Sequence, residues 1–394
     1  MDVNVRYYVS SNSDREKRSA ENIAYLREVG ERAGLVFHLD DPVLNAPEVV
    51  FIGGGGTEGQ FKATVNELED PVIILTTGEN NSLAASMEIL SYFQQEGRRG
   101  LILHGDLEET ASRLRNMLQA KAVLKKLNGF RLGSLGRPSD WLISSHVNPT
   151  RLKEVCGMEI VDIEMEEVFA EIARGGYPDN EFVDDLKKHS FDPEELEKAL
   201  DIYGAFVRIK EKYQLQELTV RCFDLLEPVK NTGCLGLAIL NAQGIYGGCE
   251  GDMPSLISMA ILGELSGKPV FMCNPSRILR PQKEMVLAHC TLPLNMPCQY
   301  RLMTHYESGL GVAVAGEIPQ GECTVFKCSG DLSRHFAARG RIVANLHEDA
   351  LCRTQIQVHL EEGLDYFTTR PIGNHHCVCC GDVTGLIEEF FNLC

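Results

Sequence analysis

Val49-Val50-Phe51-Ile52-Gly53-Gly54-Gly55-Gly56-Thr57-Glu58 is a short, wholly apolar run that stops on four glycines. An uninterrupted apolar run of this length fits a strand buried on both faces, as in a parallel sheet. Working outward, residues 3–9 read as a strand, 14–33 as a helix stopped by Gly34, and 35–38 as the next strand. On the other side, strand 72–75 precedes an amphipathic segment over 81–95, and strand 101–104 precedes another over 107–127. Short strands alternating with longer helices predict a parallel sheet wrapped on both faces. The glycines could cradle a phosphate through backbone N–H groups. They lack a Gly-Lys-Ser/Thr ending and fit no Gly-x-Gly-x-x-Gly with a following helix, so a tight turn at the sheet edge is the reading.

The pattern predicts a flavodoxin-like α/β domain over residues 1–130. A second α/β domain follows over 131–280, with strands at 141–145, 158–164, 218–223 and 270–273 and helices at 149–155, 192–215, 233–241 and 257–265. Asp192-Pro193-Glu194-Glu195 opens the long helix with a cap residue, a first-turn proline and a reciprocal glutamate. Beyond residue 280 helical periodicity fades. Short β-rich pieces at 285–289, 311–315, 323–328, 341–345 and 355–359, punctuated by Gly, Pro and Asp, predict a small antiparallel, barrel-like domain over 281–394, with helix 383–391 covering one end. The fold class is therefore α/β, two doubly wound parallel sheets followed by an antiparallel β domain.

Length and composition fit that division. A chain of 394 residues exceeds what one core usually supports, and 44% hydrophobic with 24% charged residues is ordinary for folded domains. The net charge of −18 disfavours nucleic acid and anionic lipid as partners. Neither a basic, apolar leader in the first ten residues nor a run of about 20 apolar residues is present, which predicts a cytoplasmic protein without membrane attachment. All 14 cysteines lie between Cys156 and Cys394, and in a cytosolic chain of this size they read as reduced thiols. Cys377, Cys379 and Cys380 are spaced too tightly for a zinc or iron–sulfur site, because three thiols so close on a strand cannot face one way.

The chemistry gathers in the second half. Gly248-Cys249-Glu250-Gly251-Asp252-Met253-Pro254-Ser255 places two carboxylates at a strand-to-helix junction, the end of a parallel sheet where open α/β folds bind ligands. Asp252 is equally well suited to cap the helix. Asn274 ends the next apolar strand, His289 ends another, and Asn374-His375-His376 precedes the thiol-rich strand. On a strand His375 and His376 point opposite ways, so only one can enter a pocket. Arg353 and the pair His305/Glu307 are polar residues in β-rich surroundings, able to contact a polyhydroxylated ligand or to be solvated.

Glu250 in Cys-Glu-Gly-Asp, a polar residue ending the following strand, and Asn374-His375 followed by Gly381 resemble the metal-site signature of the L-fucose isomerase family. Gly55-Gly56-Thr57-Glu58 and residues 81–90 resemble that family's first domain, and His289 is similar to the extra histidine ligand of the related L-arabinose isomerases. The resemblance implies an aldose–ketose isomerase using Mn²⁺ or another divalent cation, acting on a sugar or sugar derivative through a cis-enediol, as a homo-oligomer, trimer or hexamer. It implies Glu250 as ligand and acid/base group and His375 and His289 as ligands, with Asn274 at the position of a further one; Asp252 is a second candidate acid/base group, and Asn374, His376 and Arg353 are the candidate sugar contacts. The family has Asp where this chain has Asn274, and a neutral amide neither takes up a proton at neutral pH nor binds a cation as a carboxylate does. A sugar-binding homologue without turnover is the alternative that this exchange raises.

Overall fold

The computed structural model describes residues 1–9 and 15–394, which form two compact units, Met1–Leu124 with Gly385–Cys394, and Lys125–Thr384. In the first unit, strands β1 (Asp2–Tyr8), β2 (Val36–His38), β3 (Glu48–Ile52), β4 (Val72–Thr76) and β5 (Gly100–Leu103) form one parallel sheet in the order β2-β1-β3-β4-β5. This is the flavodoxin-type order. Helices α1 (Arg15–Ala33), α2 (Glu58–Thr64), α3 (Ser82–Gln95) and α4 (Leu107–Leu127) connect the strands. The start expected for the first helix, Asp14, lies outside the described residues. Val50, Ile52, Ile74, Phe61, Ile89 and Phe93 fill the core between the sheet and α2 and α3. The glycine run is a turn between β3 and α2, closely packed at Gly53, where a Cβ would stand 2.4 Å from Asn22 Nδ2.

In the second unit β6 (Arg131–Leu135), β7 (Glu159–Ile163), β8 (Glu217–Val220) and β9 (Gly247–Gly248) form a parallel sheet in the order β7-β6-β8-β9. Its helices are α5 (Pro149–Cys156), α6 (Met165–Ala173), α7 (Glu181–Leu186), α8 (Pro193–Tyr213), α9 (Cys234–Ala242) and α10 (Met253–Ser266). Asp192 caps α8 by accepting from the Glu194 and Glu195 N–H groups, as its motif predicts. The rest of the unit is β10 (Phe271–Leu279), β11 (Glu284–His289), the hairpin β12 (Gln299–Met303) and β13 (Ala313–Glu317), β14 (Gly321–Cys328), β15 (His335–Asn345), β16 (Thr354–Leu360), the short α11 (Tyr366–Thr369) and β17 (His376–Cys380). Six of these close an antiparallel barrel in the order β10-β11-β16-β15-β14-β17.

The α/β class with a C-terminal barrel agrees with expectation, and three local readings do not. Phe271–Leu279, expected in the second parallel sheet, belongs to the barrel; an apolar run buried on both sides looks alike in either setting. Residues 141–145 form turns rather than a strand, held by Leu142 N–H to Ser139 O and Ser145 N–H to Leu142 O, with Trp141 and Ile143 exposed. The last helix, α12 (Thr384–Leu393), groups with the first unit rather than with the barrel's own unit, and Arg113 Nε binds Glu389 Oε1 at 2.6 Å there. Helix α10 packs on β8 and β9 as well as β14 and β17, so parallel sheet and barrel share one core within the second unit.

Candidate metal centre

The site starts at the end of β9, where the chain must turn sharply from the sheet into α10. Glu250 and Gly251 make that turn with φ of 62° and 70°. A non-glycine residue in the left-handed region costs about 1–2 kcal/mol. At Gly251 any side chain would also collide, since a Cβ would lie 2.7 Å from Arg137 O. The turn is pinned by Ser139 N–H to Glu250 O and Gly251 N–H to Val220 O, both 2.9 Å. Asp252 then caps α10, accepting from the Ser255 N–H at 3.0 Å.

Barrel register brings the other groups to the same place. Asn274 on β10 pairs with Ala288 on β11, beside His289, and the β10–β17 ladder ends at Cys273 opposite His376, one residue from His375. Glu250, His289 and His375 are all buried, and each offers one donor atom within 4.8 Å of the others. Among the described residues no other set of three His, Cys, Asp or Glu side chains meets that spacing.

Each donor is oriented by a neighbour. His375 Nδ1 donates to Asp252 Oδ2 at 2.8 Å, which turns Nε2 towards Glu250 Oε1, 3.4 Å away. That Nε2 is buried and has no hydrogen-bond partner. A buried imidazole nitrogen left without a partner beside a carboxylate and a second imidazole has the surroundings of a metal ligand. His289 Nδ1 pairs with the Thr291 hydroxyl at 3.0 Å, leaving its Nε2. Trp141 donates its indole N–H to Glu250 Oε2 at 2.6 Å, so the carboxylate's other oxygen faces His375.

A charge network lies behind His375. Ser255 Oγ donates to Asp252 Oδ2 at 2.7 Å, Lys327 Nζ donates to Ser255 Oγ at 2.6 Å, and Lys327 Nζ lies 3.7 Å from Asp252, all fully buried. Burial works against the Asp252 charge, but Lys327 and His375 outweigh it and hold the carboxyl well below its usual range. Burial likewise opposes the imidazolium of His375, yet Asp252 and Glu250 push it up to about 9. His289 goes the other way, pushed down to about 3 by burial and by the charge of His375. Burial would raise Glu250, but His375, His289 and the Trp141 N–H keep it below the usual range. An ion bound at Nε2 would displace the second proton of His375 while Asp252 keeps the first on Nδ1, leaving a lone pair beside an ionised carboxylate.

The remaining expected residues fall around this centre or outside it. Asn274 is half-buried, and its Oδ1 accepts from Asn374 Nδ2 at 3.4 Å. His376 is fully buried, with Nδ1 on Asn374 O and Nε2 on the Tyr366 hydroxyl among Phe336 and Phe367. It faces that aromatic cluster and offers nothing to a sugar. Arg353 donates to Thr304 O and lies over the Tyr306 ring. Cys377 and Cys379 are buried, and burial pushes the Cys379 thiol up to about 12. The sequence alone did not single out Trp141 as a site residue, nor Phe223, Ser255 or Lys327. Trp141 carried one signal, the chain's single tryptophan in a polar stretch.

No family model matches the chain. It is similar to the sulfoquinovose isomerases of Priestia aryabhattai and Priestia megaterium, each 23% identical over 296 residues, covering 69% of this chain and 66% of the relative. It is also similar to the sulfoquinovose isomerase of a Clostridium strain, 25% identical over 235 residues, covering 57% of this chain and 52% of the relative. The matches thus span two thirds or less of those relatives' length.

Proposed function

We propose that the chain is a divalent-metal-dependent aldose–ketose isomerase acting on a sugar or sugar derivative. The observation that carries this reading is the buried convergence of Glu250, His289 and His375 around a partnerless His375 Nε2. Those three side chains would hold the ion, and one carboxylate with two imidazoles suits Mn²⁺ better than the thiols nearby. A bound divalent ion would polarise the sugar's O1 and O2. Glu250 moves the proton between C1 and C2 by way of a cis-enediol. Asp252 has no exposed surface and is fully engaged, so its part is to hold the His375 Nδ1 proton and start α10. Asn374 and Arg353 remain the sugar contacts of this reading, and a homo-oligomeric, cytoplasmic protein goes with it.

The similarity to sulfoquinovose isomerases makes sulfoquinovose the first sugar to try. Purified protein with Mn²⁺ in D₂O, given sulfoquinovose and a panel of neutral aldoses, is expected to form a ketose carrying deuterium at C1 and to return deuterium to C2 of the recovered aldose, as read by NMR. Glu250→Gln is expected to abolish both. No conversion of any sugar, together with a Glu250→Gln variant that binds Mn²⁺ like the parent, rejects the reading.

The amide at Asn274, tied to Asn374, favours a second reading, a homologue that binds sugar without turnover. It predicts thermal stabilisation by sugar, no product, and tighter Mn²⁺ binding in Asn274→Asp. Turnover by the natural protein excludes it.

A further inference from the structure

We propose that Trp141 is a sugar-stacking subsite beside Glu250, its N–H fixing the carboxylate and its open ring face receiving the C–H face of the sugar; this rests on the isomerase reading above. Trp141 stands on the loop after β6, and the residue is 53% exposed although the only polar atom of its side chain is spent on Glu250 Oε2 at 2.6 Å. The ring is braced by Phe223, edge to face at 4.9 Å, and Phe223 packs in the same manner on buried His305 at 5.7 Å. A braced aromatic ring left half open is a ready contact surface, because little conformational freedom is lost when something covers it.

The indole and His375 face opposite oxygens of the Glu250 carboxylate. Trp141 takes Oε2, so Oε1 alone turns towards His375. A sugar held at the donor cluster would meet a carboxylate whose other oxygen carries the indole. The face of an aromatic ring is electron-rich, and sugar C–H bonds next to oxygen carry partial positive charge, so the two surfaces attract. The loop thus combines two tasks that are chemically separable.

Because the chain holds a single tryptophan, its emission reports on this spot alone. Titration with Mn²⁺ is expected to quench it, and adding sulfoquinovose, or whichever aldose of the panel turns over, is expected to change it again. Trp141→Phe keeps a ring and loses the N–H, whereas Trp141→Ala loses both; circular dichroism establishes that each is folded. Both variants are expected to bind Mn²⁺ roughly ten- to a hundredfold more weakly, the usual effect of removing a group that orients a ligand. KM for the sugar is expected to rise about tenfold or more in Trp141→Ala and to stay within about threefold in Trp141→Phe. Equal KM values in the two variants, or parental Mn²⁺ affinity in both, overturns the subsite while turnover persists. Parental protein whose emission responds to Mn²⁺ but which converts no aldose refutes the isomerase reading instead.

Discussion

Asp252→Asn tests the network behind His375 most directly. The amide keeps the shape and can still accept the Ser255 N–H, so the cap of α10 survives. What is lost is the negative charge shared by His375 Nδ1 at 2.8 Å and Lys327 at 3.7 Å. Removing one partner of a buried pair leaves the other charge uncompensated and costs about 3–5 kcal/mol. For a unit of this size that lowers Tm by roughly 10 °C. Lys327→Met in the same background removes the stranded cation, and the double variant is expected to recover about half of the loss, a coupling that a double-mutant cycle measures. Mn²⁺ affinity is expected to stay roughly ten- to a hundredfold reduced in both, since His375 has lost the group that orients it. Calorimetry and Mn²⁺ titration read the two effects separately. A single variant that melts within about 1 kcal/mol of the parent, or a double variant no more stable than the single, refutes the claim that Asp252 balances a buried lysine.

Saturating Mn²⁺ is expected to raise Tm, with a stabilisation of about 2.7 kcal/mol at a hundredfold excess over Kd; chelator should reverse it, and His289→Gln or His375→Gln should remove most of it. Gly251→Ala forces a side chain into a left-handed turn against Arg137 O, so a loss of about 2–4 kcal/mol in denaturant unfolding is expected; a neutral result would mean that the turn can relax. Glu217 on β8 is buried with Oε2 unpartnered, and burial pushes its carboxyl well above the usual range. The folded chain therefore keeps this proton after the unfolded chain has released it. Stability falls as pH rises above the ordinary carboxyl pKa, by up to about 1.4 kcal/mol per pH unit, until the folded group ionises. Glu217→Gln removes that slope, so its Tm advantage should widen from pH 5 to pH 8, and a constant gap would show that Glu217 does not titrate differently in the two states.

The strand–helix rhythm made most of the first domain legible, because the strands were apolar runs and the long first helix had its stop at Gly34, whereas the short helix Glu58–Thr64 after the glycines was not read. The barrel was legible as a β-rich region but not in its membership. Phe271-Met272-Cys273 carries no mark of which sheet it joins, since both would bury it completely. Glu250, His289 and His375 stood out as polar residues at the ends of apolar strands, and they do converge. Lys327 gave no such sign, as a lysine in an alternating strand reads as solvent-facing until its position opposite Asp252 is known. His376 and His375 are adjacent in sequence and opposite in surroundings, and only the strand's two-residue period separates them. The likeness to sugar isomerases read from these residues also appears in the curated relatives, at low identity.

The last barrel strand, β17, lies between β14 and β10 and so must slot into a gap left by segments made much earlier. His375 immediately precedes it. During synthesis Glu250 and His289 therefore wait for His375 until β17 has emerged and closed the barrel, and a shorter nascent chain presents two of the three side chains at most. Chains released before this strand should be left with an open barrel edge and a preference for proteolysis or aggregation.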